Sequence, residues 1–201
     1  MPWGTGRNGE KMDIISELNG KRILIWGYGR EGKATEHFLQ RCVKPASVDI
    51  FEGKKEEIDE DDYDFIIKSP GIVMNEENPK YTSETELFLQ QFRDQVIGIT
   101  GTKGKSTTSA MLYTVLKACS GRPVLLLGNI GQPCLDYFEE VTEDTIIVYE
   151  MSCHQLAHTN VSPHIAIFLN LYEEHLDYYG TVEKYFEAKS HIAAYQKSGD
   201  Y

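Results

Sequence analysis

The chain has 201 residues, 41% of them hydrophobic, enough for one large or two small domains, and no apolar run approaches the length of a membrane span. Its net charge of −11 argues against a nucleic-acid backbone as partner, so an anionic ligand must be held by local cations and helix ends. Four cysteines, Cys42, Cys119, Cys134 and Cys153, stand far apart with no C-x-x-C pair, the pattern of reduced thiols in the cytoplasm.

Residues 1–12 lack the hydrophobic core of a signal peptide and are expected to form a loose leader. A first unit, 13–94, then opens with an apolar strand over Arg22–Trp26. The turn Gly27-Tyr28-Gly29-Arg30-Glu31-Gly32 follows, and then a helix with Ala34, Phe38 and Cys42 on one face. A second strand over Ser47–Phe51 ends at Glu52, where a Rossmann-like unit puts an acid that reaches a ribose hydroxyl. The same glycines also serve a turn that only lets helix and strand pack closely. Glu56 to Asp64 is an acidic surface stretch. A third strand, Asp64 to Ile67, ends at Ser69-Pro70-Gly71-Ile72, which is either a plain turn or a ligand loop at a strand's C-terminal end. Thr82 to Phe92 is predicted as a helix with Leu87, Phe88 and Gln91 on one face.

A second unit, 95–201, restarts the strand–loop–helix pattern. The strand Val96 to Ile99 runs into Gly101-Thr102-Lys103-Gly104-Lys105-Ser106-Thr107, and a helix follows whose apolar residues recur at Met111, Val115 and Cys119. Glycines let backbone N–H groups close on a phosphate, the helix N-terminus and Lys105 add positive charge, and a following hydroxyl can hold Mg²⁺. The run is not a strict P-loop, because Ile99 stands where the first glycine belongs. Strands are predicted at Arg122 to Leu127, ending at Gly128-Asn129-Ile130-Gly131, at Thr145 to Tyr149, ending at Glu150, and at Ile165 to Leu169, followed by Asn170 to Asp177. Glu150 occupies the place where nucleotide-hydrolysing sheets keep an acid for Mg²⁺, and His175 falls just past a strand end where it could touch a metal or ligand. Thr181 can cap a helix that carries Tyr185, Lys189 and Ile192 on one stripe. Burial there would lower the lysine's pKa, whereas a snorkelling head would leave it ordinary.

Taken together, the phosphate loop, Gly128-Asn129-Ile130-Gly131, Glu150-Met151-Ser152-Cys153-His154-Gln155-Leu156, Asn170 to Asp177 and the Ala188-Lys189 helix resemble the successive motifs of the Mur ligase central domain. The first unit, with its glycine turn and Ser69-Pro70-Gly71-Ile72, resembles the D-glutamate-adding members of that family. One departure is Ser152-Cys153-His154-Gln155 where the family has Ser-Ser-Phe-Gln.

The resemblance implies an α/β chain: a Rossmann-like parallel-sheet domain, then a P-loop-type mononucleotide-binding domain that is incomplete at its C-terminus. It implies ATP at Gly101, Thr102, Lys103, Gly104, Lys105, Ser106 and Thr107, and Mg²⁺ at Ser106, Glu150, His175 and a carbamylated Lys189. It also implies UDP-N-acetylmuramoyl-L-alanine at Arg30, Glu31, Glu52, Ser69, Pro70, Gly71, Asn129, Ser152 and Gln155, with Lys105, His175 and Lys189 at the chemistry. The implied reaction is ATP-dependent amide formation with D-glutamate through an acyl phosphate, in the cytoplasm and by a monomer. The family's third, amino-acid-binding domain has no counterpart here, so an inactive fragment is expected. Alternatives are a sister Mur ligase, a folylpolyglutamate synthase, a non-catalytic nucleotide- or UDP-sugar-binding module and, from the glycine turn alone, an NAD dehydrogenase.

Overall fold

A computed structural model describes residues 13–73, 78–174 and 176–201; the expected leader, 1–12, and His175 lie outside them. The first sheet contains β1 (Arg22–Trp26), β2 (Ser47–Phe51), β3 (Phe65–Lys68) and the short β4 (Tyr81–Thr82), all parallel, in the order β2-β1-β3-β4. The second contains β5 (Val96–Thr100), β6 (Val124–Gly128), β7 (Ile146–Glu150) and β8 (Ile165–Phe168), all parallel, in the order β6-β7-β5-β8. The described helices are α1 (Ile14–Leu18), α2 (Arg30–Cys42), α3 (Glu84–Phe92), α4 (Lys105–Cys119), α5 (Cys153–Leu156), α6 (Leu176–Tyr179) and α7 (Val182–Ala194). The expected α/β class is thus observed, with ligand-competent loops at the C-terminal edges of two parallel sheets. No helix among the described residues is long and apolar enough to cross a membrane.

Sequence explains most of the elements directly. In β1, Ile23, Leu24, Ile25 and Trp26 are all buried, as a central parallel strand covered on both faces requires. In α2, Ala34 and Phe38 are buried, as their spacing predicts, and the close crossing of α2 over β1 depends on Gly32: a Cβ there would overlap the Gly27 carbonyl oxygen. The acidic stretch after Glu52 forms two single-turn 3₁₀ helices, Lys55–Glu57 and Glu60–Asp62. Ser83 caps α3 by accepting from Glu86 N, so the helix begins at Glu84; of the first two residues expected in it, Thr82 belongs to β4 and Ser83 is the cap.

Helix α3 lies between the two sheets and is buried on almost every face, including Glu84, Thr85 and Glu86. Phe88 meets Tyr149 of β7 edge-on at 5.9 Å, and Phe92 meets Phe138 at 5.0 Å. One apolar cluster therefore runs from Ile25, Phe38 and Ile67 through α3 to Leu127 and Ile147.

The apolar face expected for α4 is corrected. Met111 and Val115 are 65% and 57% exposed, and Cys119 is exposed as well. The helix instead lies on β6 and β7 through the neighbouring stripe, with Ser109 fully buried and Leu112 and Leu116 half-buried. Two stripes at helical spacing were available, and the one aligned with Lys105 at the loop is the one that faces the sheet.

Candidate functional site

The phosphate loop is built by strand β5 giving way to Gly101 and Gly104, at φ +154° and +83°, where α4 starts. Only glycine adopts these backbone angles readily, and the consequence is a helix N-terminus that points its N–H groups into the loop. The loop is fastened to the end of β8. Lys103 N donates to Asn170 Oδ1 at 2.9 Å, Asn170 Nδ2 returns a bond to Lys103 O at 3.0 Å, and Thr102 N donates to Asn170 O at 3.0 Å. Thr102 Oγ1 accepts from Tyr172 N and sits 3.2 Å from the Tyr185 hydroxyl of α7. Asn170 and Thr102 are thus the residues that shape the loop; Asn170 was not among the expected contacts, although its motif was visible.

Two ammonium groups converge beneath this loop. Lys105 Nζ donates to Gly101 O at 2.8 Å and to Thr102 O at 3.1 Å, and Lys189 Nζ donates to the same Gly101 O at 2.9 Å. Lys189 is 1% exposed and packs 4.9 Å over the Tyr185 ring, so its head does not snorkel out. Burial, reinforced by the charge of Lys105, pushes its pKa down to about 8 against the opposing pull of Cys153 and Glu174. Ser106 and Thr107 are exposed at the first turn of α4, and Lys103 Nζ pairs with Glu174 at 2.5 Å.

Glu150 ends β7, in register with Ile99 of β5 and Gly128 of β6, and is fully buried. Its Oε1 accepts from Asn129 Nδ2 at 2.7 Å, and its backbone carbonyl accepts from Asn129 N. Its Oε2 has no hydrogen-bond partner. A buried carboxylate oxygen without a donor is costly, and a divalent cation would satisfy it. No cluster of three or more His, Cys, Asp or Glu able to hold a metal exists among the described residues. The donor set fits a Mg²⁺ bound by one carboxylate together with phosphate oxygens and water.

The expected substrate residues fall into two groups. Glu52 stands exposed beyond β2, next to Gly53, whose carbonyl accepts from Trp26 Nε1. Ser69 donates through Oγ to Gly27 O at 2.9 Å, which holds Ser69, Pro70 and Gly71 against the glycine turn. Arg30 reaches across to the second sheet's edge, donating to Gly128 O at 3.1 Å and Asn129 O at 3.4 Å. The other group is committed internally. Ser152 and Gln155 close a capping box on α5, and Gln155 Nε2 donates to Glu31 Oε1 at 2.8 Å. Asn129 is occupied by Glu150, as above.

Sequence reasoning missed a set of buried charges behind the glycine turn. Lys68, Glu84 and Glu86 are each under 5% exposed. Burial raises the Glu31 carboxyl, and raises the Glu84 carboxyl well above the ordinary range, with the charge of Glu31 adding to the latter. Glu86 is pushed up to about 7 by burial. Acids in a helix's first turn read as caps, and nothing in the spacing signals their burial.

A parallel sheet that ends in a lysine-bearing glycine loop, beside a strand ending in a half-satisfied carboxylate, is an α/β architecture of the kind suited to holding phosphate. Residues 99–201 match the Mur ligase middle domain, and the chain belongs to the Mur ligase family. It is 37% identical over 170 residues to a UDP-N-acetylmuramoylalanine--D-glutamate ligase of Clostridium kluyveri, covering 81% of this chain and 37% of that protein. It is 33% identical over 221 residues to the protein of the same name in Streptococcus pyogenes, covering 94% and 48%. A crystal structure of MurF from Acinetobacter baumannii matches 58% of this chain and 27% of its own, with 27% identity and a TM-score of 0.45. The chain thus spans half or less of the length of these curated relatives.

Proposed function

We propose that residues 95–201 bind ATP–Mg²⁺ and residues 13–94 bind UDP-N-acetylmuramoyl-L-alanine, as parts of a ligase that adds D-glutamate to that substrate in peptidoglycan synthesis. The relatives' names support the substrate and the amino acid. The observation that carries the reading is the convergence of Lys105 and Lys189 on Gly101 O, together with the unpartnered Oε2 of Glu150 at the end of the neighbouring strand β7.

In this reading Lys105 leaves its carbonyl partners for the β- and γ-phosphates, and the loop N–H groups and the start of α4 cradle them. Glu150, Ser106 and His175 would hold Mg²⁺, with Lys189 once it is carbamylated. Bound Mg²⁺ would supply charge neutralisation over the transferred phosphoryl oxygens. Lys189 is suited to carbamylation because its lowered pKa makes the neutral amine accessible. The nitrogen adds to the carbon of CO₂ and releases a proton to solvent, turning a cation into an oxygen ligand. Ser69 to Gly71, Arg30, Glu31 and Glu52 would hold the uridine diphosphate, and Asn129, Ser152 and Gln155 the muramoyl end, so that its carboxylate faces the γ-phosphate. That oxygen attacks phosphorus and ADP leaves; the D-glutamate nitrogen then attacks the acyl carbon, loses a proton and expels phosphate.

Because the relatives are about twice as long or longer, the complete ligation is assigned to a protein of their length. The 201-residue chain alone is expected to release no D-glutamate-dependent phosphate. Calorimetric titration of the chain with UDP-N-acetylmuramoyl-L-alanine, and separately with ATP–Mg²⁺, tests the two binding assignments. Binding of both supports the reading, whereas sugar-nucleotide binding with no ATP binding favours a non-catalytic module. Lys189 and Glu150 speak for the ligase, since a pure binder needs no metal site.

A further inference from the structure

We propose that Lys68 is a positioning residue for the substrate loop: its buried ammonium holds the Ser69 to Ile72 turn in its ligand-binding shape. The inference rests on the assignment of that turn to the uridine-diphosphate moiety. Lys68 is the last residue of β3, after three hydrophobic ones, at a place where an aliphatic side chain would be the simpler one to bury. It is 4% exposed, and its Nζ donates to Ile72 O at 3.1 Å, closing the turn from beneath. The turn's other bonds are Ser69 N to Trp26 O at 2.8 Å, Ser69 Oγ to Gly27 O at 2.9 Å and Ile72 N to Ser69 O at 3.1 Å. These fix its first residue and its internal closure; Lys68 is the charged side chain that pins its far end.

Lys68 also lines a narrow crevice, too tight to admit a water molecule, with Glu31, Gly32, Thr35, Ile67, Ser69 and Glu84. The titratable groups around it come from three directions: Glu31 from α2, Glu84 and Glu86 from α3, and His158 from the segment after α5. Burial lowers the Lys68 pKa to about 8, and the charges of Glu31 and Glu86 oppose that fall. Glu31 in turn holds Gln155 of α5, so the turn, its lysine and the second sheet's capping helix share one buried polar layer. Being buried, Lys68 does not touch the ligand, and its effect passes through the Ile72 carbonyl.

The test compares the unsubstituted chain with Lys68→Met and Lys68→Arg. UDP-N-acetylmuramoyl-L-alanine affinity is measured by calorimetry and thermal stability by a melt, below pH about 7, where Glu86 takes up a proton. Lys68→Met is expected to bind about tenfold more weakly or worse while its melting temperature is retained or raised, and Lys68→Arg to recover part of the affinity. Unchanged affinity in a folded Lys68→Met overturns the inference and leaves the functional reading standing; no binding by the unsubstituted chain overturns both. Should Lys68→Met fail to fold, hydrogen exchange of the unsubstituted chain decides. Protection of the Ile72 amide, corrected for intrinsic exchange, should fall as pH passes about 8, and constant protection overturns the inference.

Discussion

Lys189 donates from α7 to the Gly101 carbonyl at 2.9 Å, and thereby joins the last long helix of the chain to the first residue of the phosphate loop. Because Lys105 uses the same oxygen, two like charges meet in a buried setting. The cheaper state is one in which Lys189 readily gives up its proton, consistent with its pKa of about 8.

This makes Lys189 visible in the pH dependence of stability. Its folded pKa of about 8 is depressed below the ordinary 10.5, so between these values the unfolded chain binds more protons. Stability contributed by this group therefore rises as pH increases from about 8 to about 10.5, and is constant below. Lys189→Met should be more stable than the unsubstituted chain near neutrality and lack that rise. Carbon-13 NMR with labelled bicarbonate should show a carbamate resonance that the variant lacks. A resonance that persists in Lys189→Met would assign the carbamate elsewhere.

Glu150→Gln keeps an acceptor for Asn129 and removes the charge on the unpartnered oxygen. Its melting temperature should match or exceed that of the unsubstituted chain, because an uncompensated buried charge is lost. Its ATP affinity should fall about tenfold or more with Mg²⁺ present and change little with the metal chelated. An equal loss in both conditions would mean that Glu150 does not act through a cation.

Asp200 anchors the C-terminal turn to β8, accepting from Lys197 N at 2.6 Å, from His164 Nδ1 at 2.8 Å and from the Arg93 guanidinium. Burial alone would raise its pKa, but these donors outweigh it and hold the group at about 2. A depressed carboxylate stabilises the fold above its unfolded value of 3.8, and that contribution is lost as pH falls toward about 2. Asp200→Asn should lower stability at neutral pH and flatten the acid limb of a denaturation curve between those values. An acid limb identical to that of the unsubstituted chain would count against the anchor.

The corrected face of α4 gives a contrast in cost. Met111→Gln and Val115→Gln should change stability by less than about 0.5 kcal/mol, because both side chains are mostly exposed. Ile147→Ala, at a fully buried position of β7, should cost about 2–5 kcal/mol by leaving a cavity. Chemical denaturation measures both, and a large penalty at Met111 would contradict the observed packing.

Much of this was legible in the sequence because strands and loops announce themselves locally. The ranges of β1 and β2 follow directly from the sequence pattern, and Tyr185 and Ile192 are buried as their spacing predicts, whereas the burial of the Lys189 head, which spacing left open against snorkelling, is decided by the fold. What failed was long-range. The choice between two stripes on α4 depends on how the helix meets β6 and β7, which spacing alone does not encode. The burial of Lys68, Glu84 and Glu86 arises because α3 is enclosed between two sheets, so that polar residues with surface spacing find partners such as Leu135 N and Asn160 N far along the chain. Likewise, the bond from the Gln155 amide to Glu31 is a tertiary contact that local spacing does not reveal.

The central claim is that the Gly101 to Thr107 loop binds nucleotide phosphates through Lys105. Titration calorimetry of the 201-residue chain with ATP–Mg²⁺, beside Lys105→Ala, tests it most directly. The account predicts saturable binding that the substitution weakens about a hundredfold or abolishes while the melting temperature is kept. Equal binding by the two chains, or none by the unsubstituted one, would contradict it.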